Sequence, residues 1–140
     1  MDKVQKPLPI VTPLDELYWK FTQQHELRLQ RCSRCRQFRF PASAVCPECD
    51  ADEAEWIAVS GNGTLFSWVV FHKCYFPGFA QEIPYNVAMI RLDEGPMFIS
   101  NVTGVDNAAL RKGMRLSVYF EDVSEEFTIP KFRPSQDPGR

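Results

Sequence analysis

Two C-x-x-C pairs lie in the stretch CSRCRQFRFPASAVCPEC, residues 32–49, and contain four of the five cysteines of this 140-residue chain. A C-x-x-C turn places two sulfurs on one side of a metal ion, and the ten residues between the pairs suffice for a strand, a turn and a returning strand. The pattern therefore predicts a small ribbon folded around structural zinc. The predicted ligands are Cys32, Cys35, Cys46 and Cys49.

Other chemistries of these cysteines are less favoured. Thioredoxin-type redox chemistry needs a C-x-x-C at a strand-to-helix junction, and neither pair opens a helix pattern. Iron in place of zinc, or a ribbon with poor metal occupancy, stays open as an alternative. A site closed by four cysteines has no free coordination position, so we predict that it is not catalytic.

The bulk composition is that of a globular protein, with 44% hydrophobic and 24% charged residues and a net charge of −2. The N-terminal segment MDKVQKPLPIVTP lacks the apolar core of a signal peptide. No apolar run approaches the roughly 18 residues that a membrane span needs. We therefore predict a cytoplasmic protein without membrane association, in a compartment where disulfides are uncommon.

Charge is distributed unevenly along the chain. Residues 20–40 carry six basic side chains and one acidic one, whereas residues 46–55 carry five acidic side chains and no basic one. The arginines could offset the negative charge of a metal–thiolate cluster, or they could form a phosphate-binding face, since guanidinium groups match phosphate oxygens. The acidic run indicates a solvated face or one half of an interface with a basic partner.

The segment TPLDELYWKFTQQ predicts a helix ahead of the cysteines. Thr12 suits the N-cap and Pro13 suits the first helical position. Trp19 lies off the apolar stripe of this helix and indicates either a docking surface or packing on the N-terminal arm or the next lobe. The stripe itself, at helical spacing, consists of Leu14, Leu17, Tyr18 and Phe21.

The remainder of the chain has the pattern of β-structure and is rich in Val, Ile, Phe and Tyr. One short helical turn, at 106–113, is expected between the third and fourth of five strands, which is the order of an OB-type barrel. The predicted strands are 63–71, 85–92, 96–102, 114–120 and 127–132.

The predicted fold class is therefore mainly β, with an N-terminal helix, a small zinc ribbon and then a five-stranded OB-type β-barrel. The predicted division of the chain is an N-terminal arm and helix over 1–25, the zinc ribbon over 26–54, the OB-fold barrel over 55–134 and a flexible tail over 135–140.

Several motifs in this order resemble the DUF35 family, acyl-CoA-associated OB-fold proteins with a rubredoxin-like zinc ribbon. The resemblance covers residues 12–134, and its motifs are PLDELYWKF, the cysteine stretch, VSGNGTLFSWVVFH, PYNVAMIRLDEGPMFISNVTG, RKGMRLSVYFE and IPKFRP. One departure is that the family usually has glycine directly after each C-x-x-C, where this chain has Arg36 and Asp50. Because Arg tolerates left-handed backbone less well than Asp, we expect the knuckle at Cys35 to be the weaker one.

The resemblance implies a non-catalytic accessory subunit of lipid metabolism that bridges other subunits. It implies a thiolase-like, aldolase or hot-dog-fold hydratase partner, which would hold the catalytic residues, and a coenzyme A thioester as ligand. Candidate residues for contacts with the ligand or the partner are Arg34, Phe38, Arg39, Phe40, His72, Tyr75, Phe76, Phe79 and Lys131.

Some of these candidate residues also fit a purely structural role. The aromatic loop at 72–85 is a candidate surface for a ligand or partner, but two of its rings could instead cap the open end of the barrel. His72 and Cys74 resemble a nucleophile pair only weakly, because no third orienting group is evident. We therefore expect His72 to be a structural or contact residue and Cys74 a free thiol, and an independent hydrolase is disfavoured.

The alternative function is a single-stranded nucleic-acid-binding module, because OB barrels and zinc ribbons often bind single strands. This function needs a basic groove with aromatic stacking platforms. The predicted barrel strands carry few basic residues, namely Arg91, Arg115 and Lys131. Nucleic acid is therefore the less favoured ligand.

Overall fold

The computed structural model describes residues 10–73, 77 and 82–135. They form two antiparallel sheets, with strand orders β2-β1-β3 and β6-β5-β4-β7-β8. Within these ranges, no helix is long and apolar enough to span a membrane. The elements are α1 (Glu16–Gln23), β1 (Arg28–Cys32), β2 (Phe38–Arg39), β3 (Ala54–Ala58), β4 (Asn62–Phe71), β5 (Tyr85–Leu92), β6 (Met97–Ser100), a 3-10 turn (Asn107–Ala109), β7 (Arg115–Asp122) and β8 (Thr128–Pro134).

The five-stranded sheet closes into a barrel through a parallel contact between Val102, just beyond β6, and Phe132 in β8. The Phe132 amide donates to the Asn101 carbonyl at 3.0 Å, and the Thr103 amide donates to the Phe132 carbonyl at 2.8 Å. The buried Asn86 side chain donates to the Val102 carbonyl and accepts from its amide, both at 2.8 Å. The predicted mainly β fold with an OB-type barrel is confirmed.

The predicted barrel strands are all present, with ends within two residues of the expected ones. In β5 the side chains of Ala88, Ile90 and Leu92 are buried, whereas Met89 and Arg91 are exposed. This alternation is the period of two that a strand imposes on its side chains. The predicted helical turn at 106–113 is a shorter 3-10 turn, Asn107–Ala109.

The N-terminal helix begins at Glu16, three residues later than the predicted start at Pro13. Thr12 does not cap the helix with its side chain. Instead, Asp15 Oδ1 accepts hydrogen bonds from the Thr12 amide at 2.7 Å and from Thr12 Oγ1 at 3.0 Å. These bonds hold residues 12–15 in a turn, so the helical geometry starts only after it.

Only part of the predicted apolar stripe is buried. Tyr18 is buried, but Leu14 and Leu17 are 47% and 44% exposed. The helix packs against β1 and β8, which rotates the buried face towards Tyr18 and Trp19. Trp19 packs edge-on against Phe127 at 5.5 Å between ring centroids, so it contacts the barrel lobe.

One hydrophobic core joins the helix, the ribbon and the barrel. Tyr18 of α1 packs on Phe40, which follows β2, with ring centroids 5.8 Å apart. Phe40 packs on Phe98 of β6 at 4.4 Å, and Phe98 packs on Phe132 of β8 at 5.9 Å. The ribbon is therefore fixed to the barrel by aromatic contacts, besides its chain connection.

The predicted division of the chain into arm and helix, ribbon, barrel and tail stays a prediction. Strand β3 pairs with β1 from Ala54 to Ala58, so the ribbon sheet continues past the predicted division at 54/55. Residues 1–9 of the predicted arm and 136–140 of the predicted tail lie outside the described residues.

Candidate functional site

The four cysteines of the two C-x-x-C pairs converge at one end of the ribbon. Their Sγ atoms all lie within 4.8 Å of one another, with Cys32–Cys49 and Cys35–Cys46 both at 3.6 Å. Four sulfurs at about 2.3 Å from a tetrahedral zinc ion lie about 3.8 Å apart. A disulfide would need about 2.05 Å, and all four thiols are free. The arrangement therefore fits a tetrahedral metal ion.

Backbone amides favour thiolates at two of the four sulfurs. The Cys35 amide donates to Cys32 Sγ at 3.4 Å, which lowers the pKa of the Cys32 thiol to about 6. The Glu48 amide likewise lowers the pKa of Cys46. At Cys35 the Gln37 amide lowers the pKa, but burial and the neighbouring thiols outweigh it and raise the pKa to about 12. Two lowered and two raised pKa values are expected of four clustered thiols, because neighbouring thiolates repel one another. A bound cation would favour the thiolate form of all four.

Both knuckles adopt left-handed backbone at the positions where the family usually has glycine. Arg36 has φ 68° and Asp50 has φ 63°. The Arg36 amide donates to the Cys32 carbonyl at 3.0 Å, and the Asp50 amide donates to the Cys46 carbonyl at 2.9 Å. The two turns are thus alike in geometry, although Arg is the costlier residue in this conformation.

The ribbon residues predicted to contact a ligand or partner protein lie in different environments. Arg34 is exposed on the first knuckle, and Phe38 is half-buried beneath the Arg31 guanidinium, whose carbon lies 5.9 Å from the ring centroid. Arg39 is buried, and Phe40 packs into the shared core. Residues 38 and 39 therefore point to opposite sides of β2, as the alternation of a strand requires.

The predicted ligand residues outside the ribbon are also dispersed. His72 is exposed just after β4. Tyr75, Phe76 and Phe79 lie outside the described residues, as does Cys74. Lys131 is buried in β8, where its Nζ lies 2.6 Å from Glu121 Oε2 in an ion pair.

A cavity of about 220 Å³, which we call the ribbon cavity, lies between α1 and the ribbon sheet. It brings together two of the predicted ligand residues, Arg39 and Phe40. The prediction missed several of the other lining residues, because identifying them requires knowing how α1 packs against the ribbon. The register that pairs Gln30 with Arg39 across the hairpin would have shown that these two side chains are neighbours. The lining consists of Asp15, Tyr18, Trp19, Leu29, Gln30, Arg39, Phe40, Pro41, Ala42 and Trp56.

The barrel carries an apolar patch on the outside of β4, β5 and β6, which we call the outer sheet face (Val69, Val87, Met89 and Ile99). Val69 and Ile99 are each 57% exposed, and Met89 is 38% exposed. Met89 pairs directly with Ile99, and Val69 pairs with Val87. Contiguous exposed apolar side chains of this kind mark surfaces that meet another molecule.

The three basic residues of the predicted barrel strands, Arg91, Arg115 and Lys131, have partners on the chain itself. Arg115 donates to both carboxylate oxygens of Asp93, at 2.8 and 2.9 Å, and this bonding holds the pKa of Asp93 below its usual range. Lys131 is paired as described above. Arg91 donates to the Gly95 carbonyl at 3.1 Å. These contacts give the nucleic-acid alternative no additional support.

The two lobes match two family models. Residues 19–55 match the model of the ChsH2 rubredoxin-like zinc ribbon domain, and residues 56–121 match that of the ChsH2 C-terminal OB-fold domain. The chain is also similar to the solved structure of the Ltp2-ChsH2(DUF35) aldolase, with a TM-score of 0.83 and 29% identity. That match covers 91% of this chain and 98% of the other.

Two curated relatives point the same way. The probable enoyl-CoA hydratase alpha subunit of Thermomonospora curvata is 29% identical over 133 residues, which are 95% of this chain and 41% of that protein. A DUF35 domain-containing scaffold protein of Methanothermobacter thermautotrophicus is 30% identical over 105 residues, 74% of this chain and 78% of that protein. The chain thus spans less than half of the hydratase subunit and most of the scaffold protein. With its zinc-ribbon and OB-fold domains in this order, the chain belongs to the DUF35 family.

Proposed function

We propose that this chain is a non-catalytic scaffold subunit of an acyl-CoA-processing complex. Its partner would be a hydratase-, aldolase- or thiolase-type enzyme, and its own ligand an acyl-CoA. The observation that supports this most is the similarity over 98% of a DUF35 chain from an aldolase assembly. The relative from Thermomonospora curvata, a hydratase alpha subunit, supports the same role with a second class of enzyme.

The ribbon is proposed to hold zinc as a structural ion. Four thiols at tetrahedral spacing support the binding of zinc. The ion would be structural, because a shell of four cysteines leaves no open position for water or substrate. Cys32, Cys35, Cys46 and Cys49 would bind the ion and thereby fix the two knuckles relative to each other. The ion would supply folding free energy to a lobe too small for a large core of its own.

The outer sheet face is proposed as the surface that docks the partner enzyme. Its exposed side chains come from three adjacent strands and lie on the outside of the barrel, where a partner can reach them. Ile99 and Val69, each 57% exposed, would lose this contact with water on docking. Burial of apolar area of this kind favours association.

Acyl-CoA binding is proposed for the exposed basic side of the ribbon. Arg34 and Arg36 are both exposed, and neither forms an ion pair with any residue in the described part of the chain. Free guanidinium groups fit the phosphates of coenzyme A. The half-buried Phe38 and the exposed His72 stay candidate contacts. Tyr75, Phe76 and Phe79 also stay candidate contacts. Lys131 stays a candidate on the basis of the sequence alone.

Co-purification tests the scaffold role. We expect the tagged chain, expressed in its native host, to bring down an acyl-CoA hydratase, aldolase or thiolase that mass spectrometry identifies. The variant Ile99→Glu should lose this enzyme, whereas Val45→Glu, an equally apolar exposed position on the ribbon, should keep it. Circular dichroism and zinc content must be unchanged in both variants. Purification of the wild-type chain as a monomer with no such enzyme would refute the scaffold role.

Calorimetry with acetyl-CoA tests the ligand. Replacement of Arg34 and Arg36 by Gln should weaken binding to the chain or its complex roughly 10-fold, because each exposed phosphate contact contributes on the order of 0.5–1 kcal/mol. The control Arg133→Gln changes an exposed arginine of β8 and should leave the affinity unaltered. Equal losses in both variants, or no binding by wild type, would contradict the proposed site.

A further inference from the structure

We propose that the ribbon cavity is a binding site for a small organic carboxylate, held by Arg39 and Trp19. This inference goes beyond the scaffold function, because the site is complete within one chain and needs neither coenzyme A nor a partner enzyme. Its walls come from α1, β1, β3 and the hairpin around β2.

Arg39 supplies a buried positive charge with one unused end. The residue is 7% exposed, its Nε donates to Gln30 Oε1 at 2.9 Å, and its Nη2 donates to the Ser43 carbonyl at 2.9 Å. The third nitrogen, Nη1, is buried and has no hydrogen-bond partner. No carboxylate in the described part of the chain forms an ion pair with it. Buried charges are normally paired, so an anion at Nη1 would supply both the missing counter-charge and the missing acceptor.

The guanidinium group is held rigidly in place. Gln30 Oε1, which accepts from Arg39 Nε, also accepts from the Ser43 amide at 2.9 Å. Gln30 and Arg39 are direct neighbours across the β1–β2 pairing. Fixed donors lose little conformational entropy when a ligand binds, so this arrangement is preorganised for an anion.

Trp19 adds a second unused donor to the same cavity. Its Nε1 is buried without a hydrogen-bond partner, and Trp19 is among the residues that line the cavity, as is Arg39. Arg39 Nη1 carries two N–H groups and Trp19 Nε1 carries one, which makes three free donors. The two oxygens of a carboxylate can accept all three bonds.

The remaining walls select the body of the ligand. Tyr18, Leu29, Phe40 and Trp56 give an apolar and largely aromatic lining. The volume of about 220 Å³ lies below the roughly 300–1,000 Å³ of pockets that hold drug-sized ligands. The cavity therefore suits one ring or a short acyl chain. Asp15 also lines it, and its negative charge disfavours a dianion such as phosphate relative to a monocarboxylate.

Benzoate is a suitable probe, with benzamide as its neutral isostere. The chain has three tryptophans, so ¹⁵N–¹H spectra contain three indole signals, and the spectrum of Trp19→Phe assigns that of Trp19. We expect benzoate to shift the Trp19 signal saturably, with a dissociation constant below roughly 1 mM, and benzamide to bind at least about 10-fold more weakly. This ligand pair tests the wild-type protein, so the test does not depend on a variant that folds.

Variants test the assigned donors. Arg39→Gln should weaken benzoate binding at least about 10-fold, because a charge-assisted hydrogen bond is lost. Trp19→Phe keeps a ring but removes the indole N–H, and should weaken binding about threefold to fivefold. Trp68→Phe, a barrel tryptophan that does not line the cavity, is the matched control and should stay within about twofold. Equal binding of benzoate and benzamide, preference for inorganic phosphate, or no saturable shift would each overturn the proposal.

Discussion

Replacement of Arg36 by glycine tests whether the first metal knuckle stores backbone strain. Arg36 has φ 68°, and left-handed backbone costs an L-residue roughly 1–2 kcal/mol, which glycine avoids. Glycine is also freer in the unfolded chain, which offsets about 0.4–1 kcal/mol of the gain. The net expected stabilisation is therefore about 0.5–1 kcal/mol.

A matched variant separates this effect from the loss of charge. Arg36→Ala removes the guanidinium group but keeps the left-handed strain, so the difference between the Gly and Ala variants reports on the backbone alone. Because ribbon folding and metal binding are coupled, about 0.5–1 kcal/mol corresponds to roughly twofold to fivefold tighter zinc binding. Competition with a chromophoric chelator measures this difference, and urea denaturation provides an independent value.

The second knuckle gives an internal comparison. Asp50 has φ 63°, almost the same as Arg36, but Asp adopts this conformation more readily. Asp50→Gly should therefore gain less than Arg36→Gly when each is compared with its own alanine variant. Zinc binding by Arg36→Gly no tighter than by Arg36→Ala, or a larger gain at position 50, would refute the strain argument.

Three further predictions concern the barrel. Asn86→Ala should lower the free energy of unfolding by about 3 kcal/mol in urea denaturation, because it leaves buried backbone groups beyond β6 without partners. Gly63→Ala should lower the free energy of unfolding by about 1–3 kcal/mol, since a Cβ there would lie 2.8 Å from a carbonyl oxygen of β5. In the control Gly113→Ala the added Cβ meets no atom within 4 Å, so the loss should be about 1 kcal/mol, from the positive φ alone. Arg115 holds the pKa of Asp93 below its ordinary 3.8, so this pair should stabilise the protein above that pH and cease to do so as the pH falls through the folded-state pKa. The difference in unfolding free energy between wild type and Asp93→Asn, followed from neutral to acidic pH, should accordingly shrink, and a constant difference would count against the pair.

Local patterns were sufficient to predict the strands and the convergence of the four cysteines. The barrel strands are rich in Val, Ile, Phe and Tyr, and this local composition favours strands whatever their later partners. The cysteine spacing needed only the geometry of two tight turns. Both features depend on residues close together in the chain.

The orientation of the helix and the environment of the basic residues depend on distant contacts. Leu14 and Leu17 belong to the predicted apolar stripe but are exposed, because such a stripe looks the same in sequence whether or not it packs inward. Arg39 has the sequence pattern of a surface charge beside two rings. It is buried, and it lines the ribbon cavity together with residues of α1, whose position no local pattern encodes. Lys131 is buried because Glu121 on the neighbouring strand provides its counter-charge.

The aromatic contacts from Tyr18 through Phe40 and Phe98 to Phe132 determine how this protein can serve as a spacer. A two-lobed chain joined only by a linker would allow its lobes to swivel, and anything attached to them would vary in distance and angle. Here Phe40 of the ribbon lies 4.4 Å from Phe98 of the barrel, between ring centroids. The ribbon knuckles and the outer sheet face are thus held at a fixed distance and orientation relative to each other. Molecules bound to both surfaces would be kept in register with each other without any hinge having to close.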